Sequence, residues 1–404
     1  MRLVFVNRFY WPDEPATAQL LADLAEALAR RGFAVTVIAS RPARIATPRT
    51  ETRAGVVIRR VRTTHGGCRV AARAVDFATF YLGAAWRLLR TVRRGDVVVL
   101  MTDPPLLGAL AGPLIRMRGA RAIHWVQDIY PEIAIALTSH RWLGTFRPLR
   151  NRTWKSAVAC VVPGADMGAH LAAAGVPPEK IVTIPNWSPA GVLPPTDAQV
   201  DALRRAWGVT GKFVAMYSGN FGRVHDLEPL LDVAAAMQAD SELVFVFVGD
   251  GAQRAALERI VCRRGLGNVH FRPFQPRAQL GVSLAVGDVH FVTLRPGCET
   301  LVFPSKLHGI AAAGRPAIFI GPRDSEPARL IENHGFGRAF TRNDTTAVAE
   351  TLQGLRRDRG RRERMAAAAL AFSRNDAAAA AARWAELLTA KIAPSVTPLP
   401  NPPA

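Results

Sequence analysis

The chain has 404 residues, of which 49% are hydrophobic, so it is long and apolar enough for two domains and is not an intrinsically disordered protein. Its formal net charge is +20, and only five of its 52 basic residues are lysine. This charge predicts an anionic partner, either a phosphorylated substrate or an anionic membrane surface. Since no RNA- or DNA-binding motif accompanies it, we expect no nucleic acid partner. The four cysteines form no CxxC pair, which indicates neither a zinc site nor a disulfide framework and fits a reducing cytosol.

The first half of the chain alternates short apolar runs with helical patterns. The apolar runs typical of buried strands are Leu3 to Val6, Val35 to Ala39, Val56 to Val61, Val97 to Met101, Ala122 to Val126, Ala157 to Pro163 and Ile181 to Ile184. Helices are predicted at residues 17–31, 75–93 and 106–117, and a short one from Asp166. This alternation favours a buried parallel sheet of the doubly wound kind.

A proline-rich connection at residues 185–195 leads to a second alternation of the same kind. Strands are predicted there at residues 213–217, 243–248, 269–271, 289–294 and 317–320, and helices at 227–237 and 252–263. The sequence therefore predicts an α/β protein with two Rossmann-like domains, residues 1–188 and 189–372, that enclose a cleft. Residues 373–392 are expected to form a helix that packs back on the first domain, and residues 393–404 a disordered tail.

We predict no integral membrane segment. The chain starts directly with a strand and lacks the pattern of a signal peptide. The best candidate for a membrane span, residues 97–115, is interrupted by Asp103, Pro104 and Pro105 and is better explained as a strand, a loop and a helix. We therefore expect a cytoplasmic protein.

The stretch of residues 295–316, RPGCETLVFPSKLHGIAAAGRP, is a candidate site for the chemistry. It follows a predicted strand and opens a helix predicted at Ser305 to Ala313. A helix that starts with Ser-Lys presents unpaired backbone N–H groups and the positive end of its dipole, an arrangement that suits a diphosphate. Glu299, on the preceding loop, is placed to accept hydroxyl protons from a sugar. The alternative is an ordinary strand–loop–helix corner with a surface glutamate.

A second candidate is the turn YSGNFGRVHD at residues 217–226, which leaves a strand and enters a helix. Gly219 and Gly222 allow the backbone to approach a ligand, while Arg223 and His225 bring two basic groups into the same turn, as a pyrophosphate requires. The alternative is a plain strand–helix turn in which Asp226 caps the helix.

Three further loops follow predicted strands. The turn at Gly249 to Gly251 suits a phosphate or base contact, or simply a tight turn. The loop of residues 9–18, FYWPDEPATA, has no GxGxxG fingerprint, which argues against a dehydrogenase. Asp128 and Glu132 either orient an acceptor hydroxyl or take its proton, or belong to a capped helix start. The histidines show no metal-ligand spacing, and we expect no metal and no cofactor. The absence of a nucleophile elbow and of a Walker sequence argues against a hydrolase and a P-loop protein.

Two segments combine aromatic and basic residues. Residues 141–155 carry five basic residues and no acidic one, interleaved with Trp142, Phe146 and Trp154, which favours contact with an anionic membrane face. Residues 75–94 have a similar mixture. There we prefer the interpretation that the aromatic side chains belong to the core and the arginines to a solvated face.

Taken in order, these segments resemble the family 4 retaining glycosyltransferases of the GT-B fold, and more narrowly the branch that assembles bacterial exopolysaccharide, O-antigen and colanic-acid repeat units. The resemblance covers nearly the whole chain. Its most specific pieces are FYWPDEPATAQLLADLAEALARRG, VQDIYPEIA, IPNW, YSGNFGRVHDLEPLL, FVGDGAQR and VFPSKLHGIAAAGRP.

The resemblance implies that the first domain holds the acceptor and the second a nucleotide-diphosphate sugar. The implied partners are that donor and an undecaprenyl-diphosphate-linked glycan, bound peripherally at the inner face of the cytoplasmic membrane. The implied donor contacts are Gly219, Asn220, Phe221, Arg223, His225, Gly249, Pro304, Ser305, Lys306 and Leu307. The acceptor-side residues are Thr17, Asp128 and Glu132, and the catalytic carboxylates are Glu299 and Asp128. No metal is implied, so arginine and helix amides carry the leaving-group charge.

The chain departs from the family pattern in its donor site. Asn220 and His225 stand where the family commonly has an arginine and a lysine, and Arg223 is the residue that would compensate. Gly309 stands where a ribose-binding glutamate would fall, and Glu299 is displaced from the usual spacing. The choice between UDP and GDP therefore stays open. The alternatives are a nucleotide-sugar 2-epimerase of the same fold, or a non-catalytic basic scaffold at a membrane.

Overall fold

The computed structural model describes residues 1–43, 45–64, 70–188, 195–374 and 377–392. Most of the predicted linker, Cys68 and the predicted tail lie outside the described residues. Within the described part, the chain forms two sheets, each packed between helices.

The first half of the chain builds an eight-stranded sheet. Its strands are β1 (Arg2–Val6), β2 (Ala34–Ser40), β3 (Thr50–Arg53), β4 (Val56–Val61), β5 (Val97–Leu100), β6 (Arg121–Trp125), β7 (Ala159–Val162) and β8 (Ile181–Thr183). Their order in the sheet is β3-β4-β2-β1-β5-β6-β7-β8, and all pairs are parallel except β3 with β4. The prediction missed β3 because this edge strand, with the sequence TETR, has no apolar run.

The helices of this half are α1 (Ala16–Arg30), α2 (Val70–Thr91), α3 (Leu107–Met117), α4 (Glu132–Thr138), α5 (Arg147–Ser156) and α6 (Ala165–Ala173). Short 3-10 helices occupy Arg141–Phe146 and Pro178–Lys180. The leucines of α1 pack on one face of the sheet, while α2 and α3 cover the other. Helix α2 begins five residues before the predicted start.

The second half builds a six-stranded sheet that is parallel throughout its described pairs. Its strands are β9 (Phe213–Ser218), β10 (Leu243–Val248), β11 (Val269–Arg272), β12 (Val289–Thr293), β13 (Ala317–Ile320) and β14 (Gly337–Phe340). Their order is β11-β10-β9-β12-β13-β14, so the chain order reverses between β9 and β12. All six positions of β10 are buried, which explains its uninterrupted LVFVFV sequence.

The helices of the second half are α7 (Asp197–Trp207), α8 (Glu228–Ala236), α9 (Arg254–Arg264), α10 (Leu280–Val286), α11 (Lys306–Ala312), α12 (Glu326–Asn333), α13 (Thr345–Arg357), α14 (Arg359–Phe372) and α15 (Ala377–Ile392). Helix α15 packs on α1 and not on the second sheet. There Trp384 meets Trp125 edge-on, with ring centroids 5.3 Å apart, and Trp125 stacks on Trp187 at 5.8 Å. Aromatic burial thus fixes the end of the described chain to the first sheet.

The loops that follow the strands of the two sheets contact each other. Asp128 pairs with Val302 in an isolated antiparallel bridge, and Ile129 N donates to Leu301 O at 2.9 Å. Further along the same boundary, the Asp166 carboxylate accepts from Glu326 N at 2.6 Å, and the Glu326 carboxylate accepts from Asp166 N at 3.3 Å. Each carboxylate therefore caps the amino end of a helix in the opposite domain.

None of the described helices combines the length and the apolar character that crossing a bilayer would require.

Candidate functional site

The predicted donor loops lie at the point where the strand order of the second sheet reverses. Loop 219–225 follows β9 and loop 294–305 follows β12, and these two strands are neighbours. In open parallel sheets, ligands bind in the crevice outside the carboxyl ends of such strands. Arg295 N donates to Val224 O at 2.8 Å and joins the two loops directly.

Two glycines shape the floor of this crevice. Gly219 has a φ of +136° and Gly249 a φ of +138°, in a region that residues with a side chain rarely adopt. A Cβ on Gly249 would lie 2.0 Å from the carbonyl oxygen of Gly219. A Cβ on Gly219 would lie 3.3 Å from Lys306 Cε. The glycines are therefore needed for the close approach of the two turns and for the position of Lys306.

Lys306 is a basic residue without a carboxylate partner in the described part of the chain. Its Nζ donates to the Tyr217 hydroxyl and lies 3.7 Å from the centre of the Tyr217 ring. The Tyr217 hydroxyl in turn donates to Asn220 O at 3.0 Å. Burial lowers the pKa of Lys306 well below its usual value. An anion beside the ammonium would oppose this cost, because it favours the charged form.

His225 does not provide the positive charge expected of it. The ring is buried, and its Nδ1 is 2.8 Å from Thr293 O, which assigns the proton to Nδ1. Burial, and secondarily the charge of Lys306, lowers the pKa of His225 to about 3. The imidazole is therefore neutral near pH 7 and helps to hold the loop, together with Gln253, which donates to Gly222 O and His225 O.

The two arginines of the crevice differ in environment. Arg223 is exposed, and among the described residues its guanidinium makes no hydrogen bond or ion pair. Arg295 is partly buried, and its Nε has no hydrogen-bond partner there. The same holds for Oε2 of Glu299, four residues further on. One loop therefore holds an unpaired hydrogen-bond donor and an unpaired acceptor of opposite charge. A polar ligand bound there can form hydrogen bonds with both groups.

The start of α11 contributes less than its sequence suggested. The helix has only seven residues, and Ser305 makes no side-chain cap. The amides of Leu307 and His308 already donate to Pro304 O and Ser305 O. Leu307 and Pro304 are buried, so neither side chain is available to a ligand. The groups that this end offers to a ligand are the Lys306 side chain and the amides of Ser305 and Lys306, for which the described residues provide no hydrogen-bond acceptor.

Asn220 and Phe221 take different places in the same turn. Asn220 is exposed at the mouth of the crevice. Phe221 is fully buried, with its ring 5.7 Å from that of Tyr217 and 6.3 Å from that of Phe247. The expected donor contact of Phe221 therefore does not come from its side chain. Its backbone links the turns after β9 and β10, since Phe221 N donates to Asp250 O at 2.8 Å.

On the first domain, Asp128 lies beside a small cavity. The cavity has a volume of about 30 Å³ and is lined, among others, by Leu107, Tyr130 and Trp154. Burial, and secondarily the charge of Asp103, raises the pKa of Asp128 to about 7. Because Asp128 also bridges to Val302, the structure places this carboxyl-bearing loop against the loop that leads to Lys306.

Glu132 is already paired inside the first domain. Its Oε1 accepts from Arg150 Nη2 at 2.9 Å and lies 3.1 Å from Arg147 Nε. Burial opposes its ionisation, but hydrogen bonds from His170 and Arg150 and the charge of Arg150 lower the pKa of Glu132 to about 2. Both carboxylate oxygens of Glu132 are therefore occupied by arginines, so its role is structural and neither oxygen is free to bind the sugar acceptor. Thr17 is half-buried in the first turn of α1.

Sequence reasoning missed Arg295 and Asp103. Each lies two or three residues after a strand next to the reversal of its sheet, β12 for Arg295 and β5 for Asp103, and that position was the available signal. Asp103 Oδ1 lies 3.0 Å from Arg8 Nε, which joins the loops after β1 and β5. Burial raises the pKa of Asp103, although Arg8 opposes the shift.

Comparisons with known proteins give a consistent result. Residues 17–187 match the family model of the glycosyl transferase 4-like domain, and residues 199–372 match that of glycosyl transferases group 1. Together, the two models cover most of the chain. The division between the two models coincides with the division between the two sheets, since the first model ends after β8 and the second starts in α7.

Two curated proteins and one solved structure illustrate the likeness. The putative colanic acid biosynthesis glycosyl transferase WcaI of Escherichia coli is 37% identical over 160 residues, which are 39% of this chain and only 39% of that relative. The probable glycosyltransferase WbjE of Pseudomonas aeruginosa is 29% identical over 277 residues, 67% of this chain and 68% of the relative. Anabaena HepE, in its complex with UDP-glucose, superimposes with a TM-score of 0.74 at 16% identity, over 96% of this chain and 100% of that one.

Proposed function

The chain belongs to the glycosyltransferases that join a glycosyl transferase 4-like domain to a group 1 domain, and from this premise we propose that it transfers a sugar from a nucleotide-diphosphate donor to a lipid-linked acceptor. The family and the GT-B fold predicted from the sequence are confirmed. The name of WcaI, a putative colanic acid biosynthesis enzyme, supports a place in bacterial polysaccharide biosynthesis, and the name of WbjE supports glycosyl transfer. The proposal adds an undecaprenyl-diphosphate carrier, retention of configuration and peripheral contact with the inner face of the cytoplasmic membrane.

The observation that carries the donor proposal is the unpaired charge at the reversal point of the second sheet. Lys306 and Arg295 are held there without carboxylate partners in the described part of the chain, and Arg223 is free beside them. A diphosphate satisfies these groups and becomes a better leaving group when they neutralise it. HepE, which shares the fold, is described in complex with UDP-glucose, and this supports testing UDP-sugars first.

In the mechanism that we propose, the cations and the Ser305 and Lys306 amides stabilise the departing diphosphate. Glu299 accepts hydrogen bonds from hydroxyl groups of the sugar and orients it, and the acceptor attacks from the face that the leaving group vacates. Asp128 receives the proton of the acceptor hydroxyl. Contact between loop 126–131 and loop 298–305 excludes water, which limits hydrolysis of the donor.

The proposal is tested by thermal shift with UDP, GDP and their sugars, followed by transfer to a lipid-diphosphate-linked acceptor. A nucleotide at a hundred times its Kd should stabilise the chain by about 2.7 kcal/mol. Release of nucleoside diphosphate should require the acceptor. Conversion of the donor without any acceptor would instead indicate the epimerase, and a chain that binds no nucleotide would indicate the scaffold.

Arg295→Ala should weaken binding of the preferred nucleoside diphosphate at least thirtyfold, about 2 kcal/mol, because it removes a partly desolvated charge. Arg223→Ala should cost about tenfold, since its guanidinium is exposed. Affinity for the corresponding nucleoside, which lacks the diphosphate, should not change in either variant. Arg259→Ala, an exposed arginine of α9, is the control. Equal losses for nucleoside and nucleotide would show a structural defect instead.

The rate of transfer should rise with pH through about 7, the pKa to which burial raises Asp128, because only the carboxylate accepts a proton. The raised pKa also means that folding stability from this group is lost as the pH rises towards 7. Asp128→Asn should therefore slow transfer at least tenfold, abolish the rise with pH, and unfold at a higher temperature than the wild type at pH 8. An active variant with an unchanged pH profile would contradict the role of Asp128.

A further inference from the structure

Helix α2 is apolar on two opposite faces. One stripe, which includes Phe80, Ala84 and Leu88, is buried against the first sheet. A second stripe at helical spacing is exposed, with Val75 51%, Leu82 74%, Trp86 55% and Leu89 36% accessible. The sequence-based preference for aromatic core residues in α2 is therefore right for Phe80 and wrong for Trp86. A surface helix normally has one apolar stripe, which faces the core, and a polar face towards solvent, so the second stripe of α2 is unusual.

The exposed apolar stripe continues across the neighbouring elements. Helix α3 packs beside α2, and α5 packs beside α3 and the 3-10 helix at residues 141–146. On their outer sides, Leu110 of α3 is 52% exposed, Met117 76% and Trp142 of the 3-10 helix 61%. Nine of the 14 exposed large hydrophobic side chains in the described chain lie on these four elements. We call their outer surface the docking face.

The docking face has almost no negative charge. Residues 70–94, 105–121 and 141–156 contain five, three and five basic residues, of which Arg147 and the buried Arg150 pair with Glu132. The single carboxylate among these residues, Asp76, is buried. Arg90 lies over the Trp86 ring at 3.9 Å. Burial and then the charges of Arg59, Arg49 and Arg90 lower the pKa of Arg87, so this end of the face gathers cations that repel one another. Such a cluster is stabilised by an anionic surface.

We propose that the docking face binds the surface of an anionic lipid bilayer. Exposed leucine, methionine and tryptophan side chains enter the boundary between headgroups and acyl chains, and the surrounding arginines bind the anionic headgroups. A second copy of the chain is a poorer partner, since a symmetric interface would bring the two basic clusters together. Nucleic acid would use the arginines but leave Leu82 and Met117 unpartnered.

This inference deepens the proposed function, which includes peripheral contact with the membrane, by naming the surface that makes the contact, and it rests on that function for the choice of acceptor. The cavity beside Asp128 lies between α3 and α5, below the docking face. An acceptor anchored in the bilayer would therefore reach the cleft from this side. Vesicle binding itself is measured without donor or acceptor, so its failure and the failure of sugar transfer are separate results.

The test is sedimentation of the full chain with unilamellar vesicles at 0.1 M NaCl. The wild type should bind vesicles of phosphatidylcholine with 25% phosphatidylglycerol at least tenfold more tightly than vesicles of phosphatidylcholine alone. The double variant Leu82→Ser with Trp86→Ser should lose at least tenfold in affinity for the anionic vesicles. Both variant positions are exposed, and nucleotide binding by the double variant should equal that of the wild type, which shows that it is folded.

Ile45→Ser is the matched control, because Ile45 is an exposed apolar residue of the first domain outside the docking face. It should bind anionic vesicles as the wild type does. Three outcomes would overturn the proposal: no binding to anionic vesicles, equal loss in the control variant, or a homodimer that the double substitution dissociates without changing vesicle binding. Binding to both vesicle types with equal affinity would contradict the role of the arginines.

Discussion

Replacing Lys306 with alanine is expected to slow sugar transfer at least a hundredfold, about 2.7 kcal/mol in the barrier. The side-chain nitrogen of Lys306 lies over the Tyr217 ring and has no carboxylate partner among the described residues. The cost of burying it is therefore not offset by an ion pair in the free protein. Charge develops on the diphosphate as the bond to the sugar breaks, and a positioned cation stabilises that state most. The loss should therefore appear in kcat as well as in KM, as measured by release of nucleoside diphosphate under saturating donor.

Stability separates this role from a structural one. Burial disfavours the charged form of Lys306, so Lys306→Ala removes an unpaired cation and should leave the unfolding temperature unchanged or higher. Lys212→Ala is the matched control. Lys212 pairs with Glu242 at 3.2 Å. It directly precedes β9 and therefore lies at the amino ends of the strands, away from the crevice at their carboxyl ends. A Lys306→Ala enzyme with at least half of the wild-type rate would contradict the leaving-group role.

Replacing Gly249 with alanine is expected to abolish detectable nucleotide binding and to lower the free energy of unfolding by about 2–4 kcal/mol. The added Cβ would lie 2.0 Å from Gly219 O and 3.2 Å from Phe221 Cε1, so the turns after β9 and β10 must separate. Gly219 would then move away from Lys306, and the crevice would lose the close backbone approach that a diphosphate needs. Calorimetry with UDP and GDP measures the loss directly.

Gly267 provides the control for this substitution. Its φ lies outside the left-handed region, and a Cβ there would meet nothing within 4 Å. Gly267→Ala should therefore bind nucleotide and unfold like the wild type. If Gly249→Ala also binds nucleotide normally, the turn after β10 has only a structural use, which is the alternative that the sequence left open.

The sequence predicted the sheets well wherever strands are buried on both faces. Strands such as β1 and β10 are continuous apolar runs and were found within one or two residues of their bounds. It missed the edge strand β3 and the short strand β14, which lack such runs, and the helices α5, α10 and α12. Helix α7 was also missed, although Thr196 and Gln199 form a capping box that is visible in the sequence.

The composition of the candidate site could be predicted only in part. Loop positions after β9, β10 and β12 follow from the alternation of elements, and this placed Gly219, Gly249 and Lys306 in one region. The sequence does not show which loops lie next to each other, because β9 and β12 are adjacent only through the strand order of the sheet. Arg295 was therefore overlooked. The neutral state of His225 and the ion pair of Glu132 likewise depend on burial by residues distant in sequence.

The sequence was equally unable to predict which apolar stripe of α2 is buried. Its apolar residues satisfy a core stripe and a second stripe at once, and the pattern alone does not say which faces the sheet. The structure resolves this, since Phe80, Ala84 and Leu88 pack against the first sheet while Leu82 and Trp86 stay exposed.

The central claim is that the donor diphosphate binds between Lys306, Arg295 and loop 219–225, at the reversal point of the second sheet. A crystal structure of the chain with UDP or GDP, whichever raises the unfolding temperature more, tests it most directly. We predict phosphate oxygens within about 3 Å of Lys306 Nζ and of a guanidinium nitrogen of Arg295. A nucleotide bound elsewhere, or with its phosphates turned away from both side chains, would contradict the account.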